Sequence, residues 1–298
     1  MTTIHGIAHT APDFAVPPGA CDCHTHVFGP LARYPFSEQR VYTPGEASIE
    51  NLLALQQALS FERVVIVHPS PYGADNRCSV DATRKLGTRA RAVAVIDDQV
   101  TDAQLQEMHS AGVRGVRVNL ETGGVSDPAR AGEMLRWAAA RIAPLGWHVQ
   151  TYTTLHVIAP LEQVIAALPT PLVVDHFGRA EAARGIAQPG FGVLLRLVAS
   201  GKAYVKLSAP HRISADPDDA ATAELARALI TANPERMLWG TDWPHPGGRP
   251  RAGVDRNTVE PFTPIDDGRA LNRFAKWAGN AEMIRRILVD NPAHLYDF

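Results

Sequence analysis

Cations are in no excess in this 298-residue chain: 29 Lys and Arg stand against 31 Asp and Glu, a formal net charge of -2 at pH 7. No run of basic residues interleaved with aromatics stands out, which argues against nucleic acid as a partner. Cysteine is scarce as well. Cys21, Cys23 and Cys78 are the whole complement, and a small odd number in a long chain argues against a disulfide framework. No apolar stretch approaches the roughly 20 residues of a membrane-spanning helix, and the N-terminus lacks the basic segment and apolar run of a signal peptide. A cytoplasmic protein with no membrane partner is therefore expected. A glycine-rich dinucleotide loop is also missing after the first apolar strand, which argues against an open doubly wound sheet.

Hydrophobic residues make up 45% of the chain, enough for one domain of barrel size. Val- and Ile-rich runs recur near 20-26, 63-68, 91-96, 113-119, 147-152, 171-176, 202-208 and 236-242, the pattern of parallel strands buried on both faces. Segments with the Ala, Leu, Gln and Arg content of amphipathic helices lie between them, around 47-60, 79-88, 101-111, 128-143, 156-168, 189-200 and 217-232, with more over 266-290. Eight β-α units in series predict a single-domain α/β fold, the closed (β/α)8 or TIM barrel, over 20-298. Residues 1-19 read as an irregular N-terminal arm. Residues 244-264, dense in Pro, Gly and Arg, read as a long loop after strand eight.

In such barrels the chemistry sits at the C-terminal strand ends, and the polar residues of this chain fall there. Strand one ends in Asp22-Cys23-His24-Thr25-His26, and simple alternation puts both histidines on one face and the two thiols on the other, under the helices. Two imidazoles so placed bind a metal or polarise a carbonyl. Strand two leads to Ser70, and strand four carries Arg117 and Asn119. Strand five ends at Tyr152, strand six at Asp175-His176 with Arg179 beyond, and strand seven leads through Lys206 and Ser208 to Arg212. Strand eight ends at Thr241-Asp242. A buried strand end gains nothing from such groups unless a partner or ligand satisfies them.

These residues resemble the amidohydrolase superfamily, whose hallmarks are a His-x-His pair on strand one, a later histidine and a strand-eight aspartate, matched by His24, His26, His176 and Asp242. HVFGP (26-30), GWHV (146-149), VDHFGR (174-179) and GTDWPHP (240-246) are similar to its pyrone-dicarboxylate lactonase branch. The resemblance implies hydrolysis of a carboxylated lactone in the breakdown of aromatic compounds. Asp242 would be general base and then acid, and His24, His26 and His176 would polarise the carbonyl. It also implies a substrate pocket of Tyr42, Ser70, Arg117, Tyr152, Arg179 and Arg212.

Two departures from the family pattern matter. Arg117 and Tyr152 occupy strands four and five where two-metal members carry a carboxylated lysine, so no two-metal site is expected. The branch implies no metal at all; the alternative is one zinc or manganese ion on His24, His26, His176 and Asp242. Beyond strand four, Leu120-Glu121-Thr122-Gly123-Gly124 stands where a further arginine would be expected. A glutamate there repels a carboxylate, so the substrate is expected to carry one carboxylate or a hydroxylated tail, unless Arg249, Arg251 or Arg256 reaches over from the long loop. His148 reads as a packing histidine and His245 as a contact to ligand or loop. The alternatives to hydrolysis are a metal-dependent decarboxylase of an aromatic or muconate-type acid, a lactone isomerase, and a silent barrel that binds a small acid. Contacts between copies are open to the 283-288 segment and the arm.

Overall fold

The computed structural model describes residues 2-247, 253 and 255-298. Each of the eight apolar runs forms a strand: β1 (Cys21–Thr25), β2 (Arg63–Val67), β3 (Ala90–Ala94), β4 (Val113–Asn119), β5 (His148–Tyr152), β6 (Leu172–Val174), β7 (Ala203–Lys206) and β8 (Met237–Leu238). They lie in one sheet in chain order, every neighbouring pair parallel. The backbone beyond β8 closes the ring against β1: Cys23 N–H donates to the Trp239 carbonyl at 2.9 Å, and Asp242 N–H to that of His24 at 2.8 Å. Close approach makes Gly240 necessary there, since a Cβ would sit 2.6 Å from the His24 nitrogen.

The helices surround this sheet, as the alternating pattern requires. They are α1 (Ile49–Leu59), α2 (Arg77–Leu86), α3 (Asp102–Ser110), α4 (Pro128–Ile142), the short α5 (Leu155–Ile158) and α6 (Glu162–Ala166), α7 (Phe191–Ala199), α8 (Ala220–Ala232), α9 (Asp267–Ala278), α10 (Ala281–Arg285) and α11 (Asn291–Tyr296). Their starts are encoded locally. Ser48 and Thr101 form capping boxes with Asn51 and Gln104, and Asp127 caps α4 ahead of a proline at its first position.

Three expectations need correction. The arm is not irregular: Thr2–Ile4 and Ile7–His9 pair as an antiparallel hairpin, and the chain beyond it docks on α9, where Thr10 N–H meets Asp266 Oδ1 at 2.9 Å. Within the 244-264 loop, Val259–Glu260 pairs in parallel with Thr43–Pro44, so part of it is strand. Cys21 and Cys23 do not lie under helices. They pack inside the barrel with Val65, Val67, Val93, Val173, Tyr204, Leu238 and Tyr296, because the register of β1 on β2 shifts between Asp22 and Thr25. One extra residue there lets a thiol and the following imidazole both face inward. In the 283-288 segment Ile284, Ile287 and Leu288 are buried in the chain's own core.

Candidate active site

Asp22 sets the first wall of the site. Its carboxylate accepts from Thr241 Oγ1 at 2.7 Å, Thr241 N–H at 3.0 Å, His24 N–H at 3.2 Å and Gln56 Nε2 at 3.3 Å. It therefore ties β1 to the end of β8 and to α1 exactly where β1 bulges. Burial pushes its pKa up to about 6 against those four donors. With Asp22 turned outward, His24 and His26 both turn into the barrel mouth.

Past β6 the chain makes an uncommon turn. His176, Phe177, Gly178 and Arg179 have φ of 49°, 58°, 63° and 57°, four left-handed residues in a row, three of which carry a Cβ that disfavours this region by roughly 1–2 kcal/mol each. Such strain persists only where surrounding contacts over-determine it. Here fully buried Phe177 packs edge-on against Trp277 at 5.8 Å, which leaves His176 and Arg179 on the mouth side. Asp242 is also left-handed, with φ 69°.

The three imidazoles converge on one carboxylate oxygen. Asp242 Oδ1 lies 3.5 Å from His24 Nε2, 3.5 Å from His26 Nε2 and 3.6 Å from His176 Nε2. Its other oxygen, Oδ2, accepts from Arg212 Nε at 2.9 Å and Nη2 at 2.8 Å. Burial raises the Asp242 pKa, but the Arg212 guanidinium outweighs it and holds the group well below the ordinary carboxylate range. Burial pushes His24 down to about 3 and lowers His26 and His176, so all three rings are neutral. The His26 tautomer follows from its partner: Nδ1 lies 2.8 Å from the Val67 carbonyl, which only accepts, so Nδ1 bears the proton and Nε2 offers a lone pair. His176 Nδ1 bonds Ser208 Oγ at 2.8 Å.

Beneath His24 lies a charged group to which the sequence reading gave no role. Lys206 Nζ, fully buried, donates to Gln150 Oε1 at 2.8 Å, lies 3.3 Å from His24 Nδ1 and pairs with Asp175 Oδ1 at 3.7 Å. Asp175 also accepts from Gln150 Nε2 at 3.1 Å and Arg117 Nη2 at 3.4 Å. A lysine in the apolar strand Ala203-Tyr204-Val205-Lys206-Leu207 was the signal available for it.

The predicted pocket residues gather at the same mouth. Tyr152 is the hub: the guanidinium carbons of Arg117, Arg179 and Arg212 lie 5.8, 5.7 and 6.0 Å from its ring centre, and Arg179 Nη1 donates to its hydroxyl at 2.7 Å. The arginines differ in what holds them. Arg212 is committed to Asp242 and to the Pro246 carbonyl at 2.8 Å, whereas Arg179 Nη2 is 4.0 Å from Glu121. Tyr42, Ser70, Arg117, Tyr152, Arg212, His26, His176 and Asp242 line an inner chamber of about 30 Å³. An outer cleft of about 670 Å³ shares Ser70, Arg117, Asn119 and Thr122 with it. Burial pushes the Tyr42 phenol up to about 12. His245 braces the loop, its Nε2 3.1 Å from Asp267 Oδ1 at the start of α9. Buried His148 meets the Tyr296 ring edge-on at 5.2 Å. Arg256 does not reach the site: its Nη1 donates to the Glu38 carbonyl at 2.6 Å. Arg249 and Arg251 lie outside the described residues.

The chemistry of the donor set suits one divalent ion. His26 Nε2 and Asp242 Oδ1 are two acceptors facing one another, and buried His24 Nε2 has no hydrogen-bond partner. Zinc takes four N and O donors at about 2.0–2.2 Å, with neighbouring donors a little over 3 Å apart. Among the described residues the ligand atoms of His24, His26 and Asp242 lie within 4.8 Å of one another and suit such an ion, whereas His176 does not join that group.

A parallel eight-stranded barrel that brings three imidazoles and a strand-eight carboxylate together at its mouth defines a class of barrel enzymes working at the C-terminal strand ends. The chain belongs to the amidohydrolase family, whose model matches residues 21-298. It is 39% identical, over 96% of its length and 92% of the relative's, to 2-pyrone-4,6-dicarboxylate hydrolase of Comamonas testosteroni. It is 38% identical, over 95% and 90%, to 4-sulfomuconolactone hydrolase of Hydrogenophaga intermedia. Among solved structures, a Pseudomonas putida protein described as a candidate 2-pyrone-4,6-dicarboxylic acid hydrolase superposes with a TM-score of 0.77 at 32% identity, covering 94% of this chain and 97% of its own. The expectations of an amidohydrolase-superfamily barrel and of a lactonase are borne out by these matches. No helix among the described residues is long and apolar enough to cross a membrane.

Proposed function

We propose that this protein opens a carboxylated lactone by attack of water on its carbonyl carbon. The observation that carries the reading is the convergence of three neutral imidazoles on one oxygen of Asp242 beside a cluster of guanidinium groups. Arg117 and Arg179 hold the substrate carboxylate, a natural partner for their planar donors. Arg212 serves Asp242 instead, taking Oδ2 and leaving Oδ1 as the basic atom. The Nε2 lone pair of His26 and Asp242 Oδ1 face one point 3.5 Å apart and there bind both hydrogens of a water, for which the inner chamber has room.

Asp242 Oδ1 takes a proton from that water as its oxygen bonds to the carbonyl carbon. His24 and His176 direct Nε2 at the carbonyl oxygen, where negative charge develops; each such donor is worth on the order of 10²–10³ in rate. The ring C–O bond then breaks, and Asp242 returns the proton to the departing ring oxygen, so one carboxylate serves as base and then acid. A divalent ion on His24, His26 and Asp242, when bound, would add Lewis-acid polarisation of the carbonyl.

The test is turnover of mono- and dicarboxylated pyrones, muconolactones and sugar-acid lactones, each with and without a chelator. Ring-opened acid from a carboxylated lactone supports the reading. Release of carbon dioxide in its place overturns it for the decarboxylase, and a rearranged lactone overturns it for the isomerase. Activity lost to the chelator and restored by zinc or manganese makes His24, His26 and Asp242 ligands; activity that survives leaves the four hallmark residues to work alone.

A further inference from the structure

The inner chamber of about 30 Å³ has room for a water or two, whereas the outer cleft of about 670 Å³ is of the size that holds whole small-molecule ligands. The two adjoin, with Ser70, Arg117, Asn119 and Thr122 in the walls of both. A lactone whose carbonyl reaches Asp242 therefore extends its remaining bulk into the outer cleft. One wall of that cleft is apolar, built by Val41, Val118, Met134 and Trp137, and Trp137 is a large hydrophobic residue left 43% exposed.

Three arginines line the cleft, and their charges are matched differently. Arg117 faces Asp175 at 3.4 Å, and Arg130 pairs with Glu133 at 3.0 Å. Arg40 bonds neutral acceptors: Thr43 Oγ1 at 2.7 Å, the Ser37 carbonyl at 3.0 Å and Asn257 Oδ1 at 2.6 Å. Among the described residues no carboxylate pairs with it. Those bonds fix the fork and use three of its five N–H groups, which leaves a pre-positioned cation with two donors to spare. It stands in the cleft of a chain that carries Glu121-Thr122-Gly123-Gly124 where a second carboxylate clamp was expected.

We propose that the outer cleft is a substituent subsite selecting lactones with an elongated tail, an apolar segment lying on Met134 and Trp137 and an anionic end group, carboxylate or sulfonate, held by Arg40. This rests on the lactonase reading for the ring, and it adds a residue and a ligand class that set specificity. The tail's binding energy is gained away from the reacting centre, so it discriminates among lactones by length and end charge.

The experiment uses matched lactones with the same carboxylated ring and either no tail, a neutral alkyl or aryl tail, or that tail ended by a carboxylate. The corresponding lactams, whose amide bond is far less reactive than the ester, are titrated calorimetrically. The expected result is a kcat/KM at least about tenfold higher for the anionic-tailed lactone than for the untailed one, the size of one charge-assisted hydrogen bond, with the same order of binding among the lactams. Arg40→Gln should collapse the charged-over-neutral ratio, Arg40→Lys should restore part of it, and Trp137→Ala should reduce the gain from either tail. Equal kcat/KM for all three wild-type substrates, or a ratio unchanged in Arg40→Gln, overturns the subsite while leaving the lactonase reading standing. If no lactone is opened, that reading falls, and the lactam affinities alone decide the cleft: a tail preference that depends on Arg40 upholds it, and none overturns it.

Discussion

Arg212 grips a single oxygen of Asp242, Oδ2, with two of its nitrogens at 2.9 and 2.8 Å. In the proposed reaction this relationship gives the arginine to the carboxylate that serves as base rather than to the one that is bound. The two roles separate kinetically. A clamp on the substrate mainly raises KM when removed, whereas a group that orients the base mainly lowers kcat. Arg212→Met is therefore expected to cut kcat by on the order of 10² or more with KM little changed. Steady-state kinetics on the best lactone check it, and a rise confined to KM would return Arg212 to the substrate pocket.

Asp242→Asn keeps the shape of the site and removes the base of the proposed reaction. Turnover should vanish, while calorimetric affinity for a lactam analogue stays within a few fold, because Arg117, Arg179 and Tyr152 are untouched. More than a few per cent of residual activity would require a different base.

Much of this arrangement was legible in the sequence because parallel strands buried on both faces announce themselves as apolar runs, and the polar residues of this chain cluster where those runs end. His24, His26, His176 and Asp242 were found that way. What was missed depends on distant partners. The inward turn of Cys23 follows from a bulge pinned by Asp22, whose strongest bond is to Thr241, 219 residues away. The left-handed run from His176 to Arg179 is dictated by the packing of Phe177 against Trp277, and only Gly178 hints at it. Strand eight reads as seven residues but pairs regularly over two, since Gly240 to Asp242 leave the ladder to close the barrel on β1.

Lys206 and Asp175 form a fully buried pair in the barrel floor, 3.7 Å apart. Removing one partner of a buried pair typically costs about 3–5 kcal/mol, and Arg117, 3.4 Å from Asp175, softens that cost when Lys206 is the partner removed. Lys206→Met should show that loss in urea unfolding, and also lower kcat through His24 Nδ1, 3.3 Å from the ammonium. In Lys206→Met/Asp175→Asn neither charge of the pair remains, although Arg117 loses its carboxylate, so the double variant should lose less than the sum of the two single variants. A double variant whose loss equals the sum of the two singles would show that the pair is not coupled.

His148 supplies the acid sensitivity of the same floor. Both ring nitrogens are buried without hydrogen-bond partners, and burial, followed by the charge on Lys206, pushes its pKa down to about 3. The unfolded chain binds a proton at this ring below its ordinary pKa near 6.5, whereas the folded chain does not until about pH 3. Its contribution is thus fully present above pH 6.5 and is lost as pH falls, at about 1.4 kcal/mol per pH unit. His148→Leu fills the space with an apolar side chain and removes that proton site. Against wild type, the variant should gain stability steadily from pH 6 to pH 4 in urea titrations, whatever its offset at pH 7.5, because the other buried histidines, His24 among them, are common to both. A stability difference that stays constant over this range would mean that His148 carries its proton in the folded barrel.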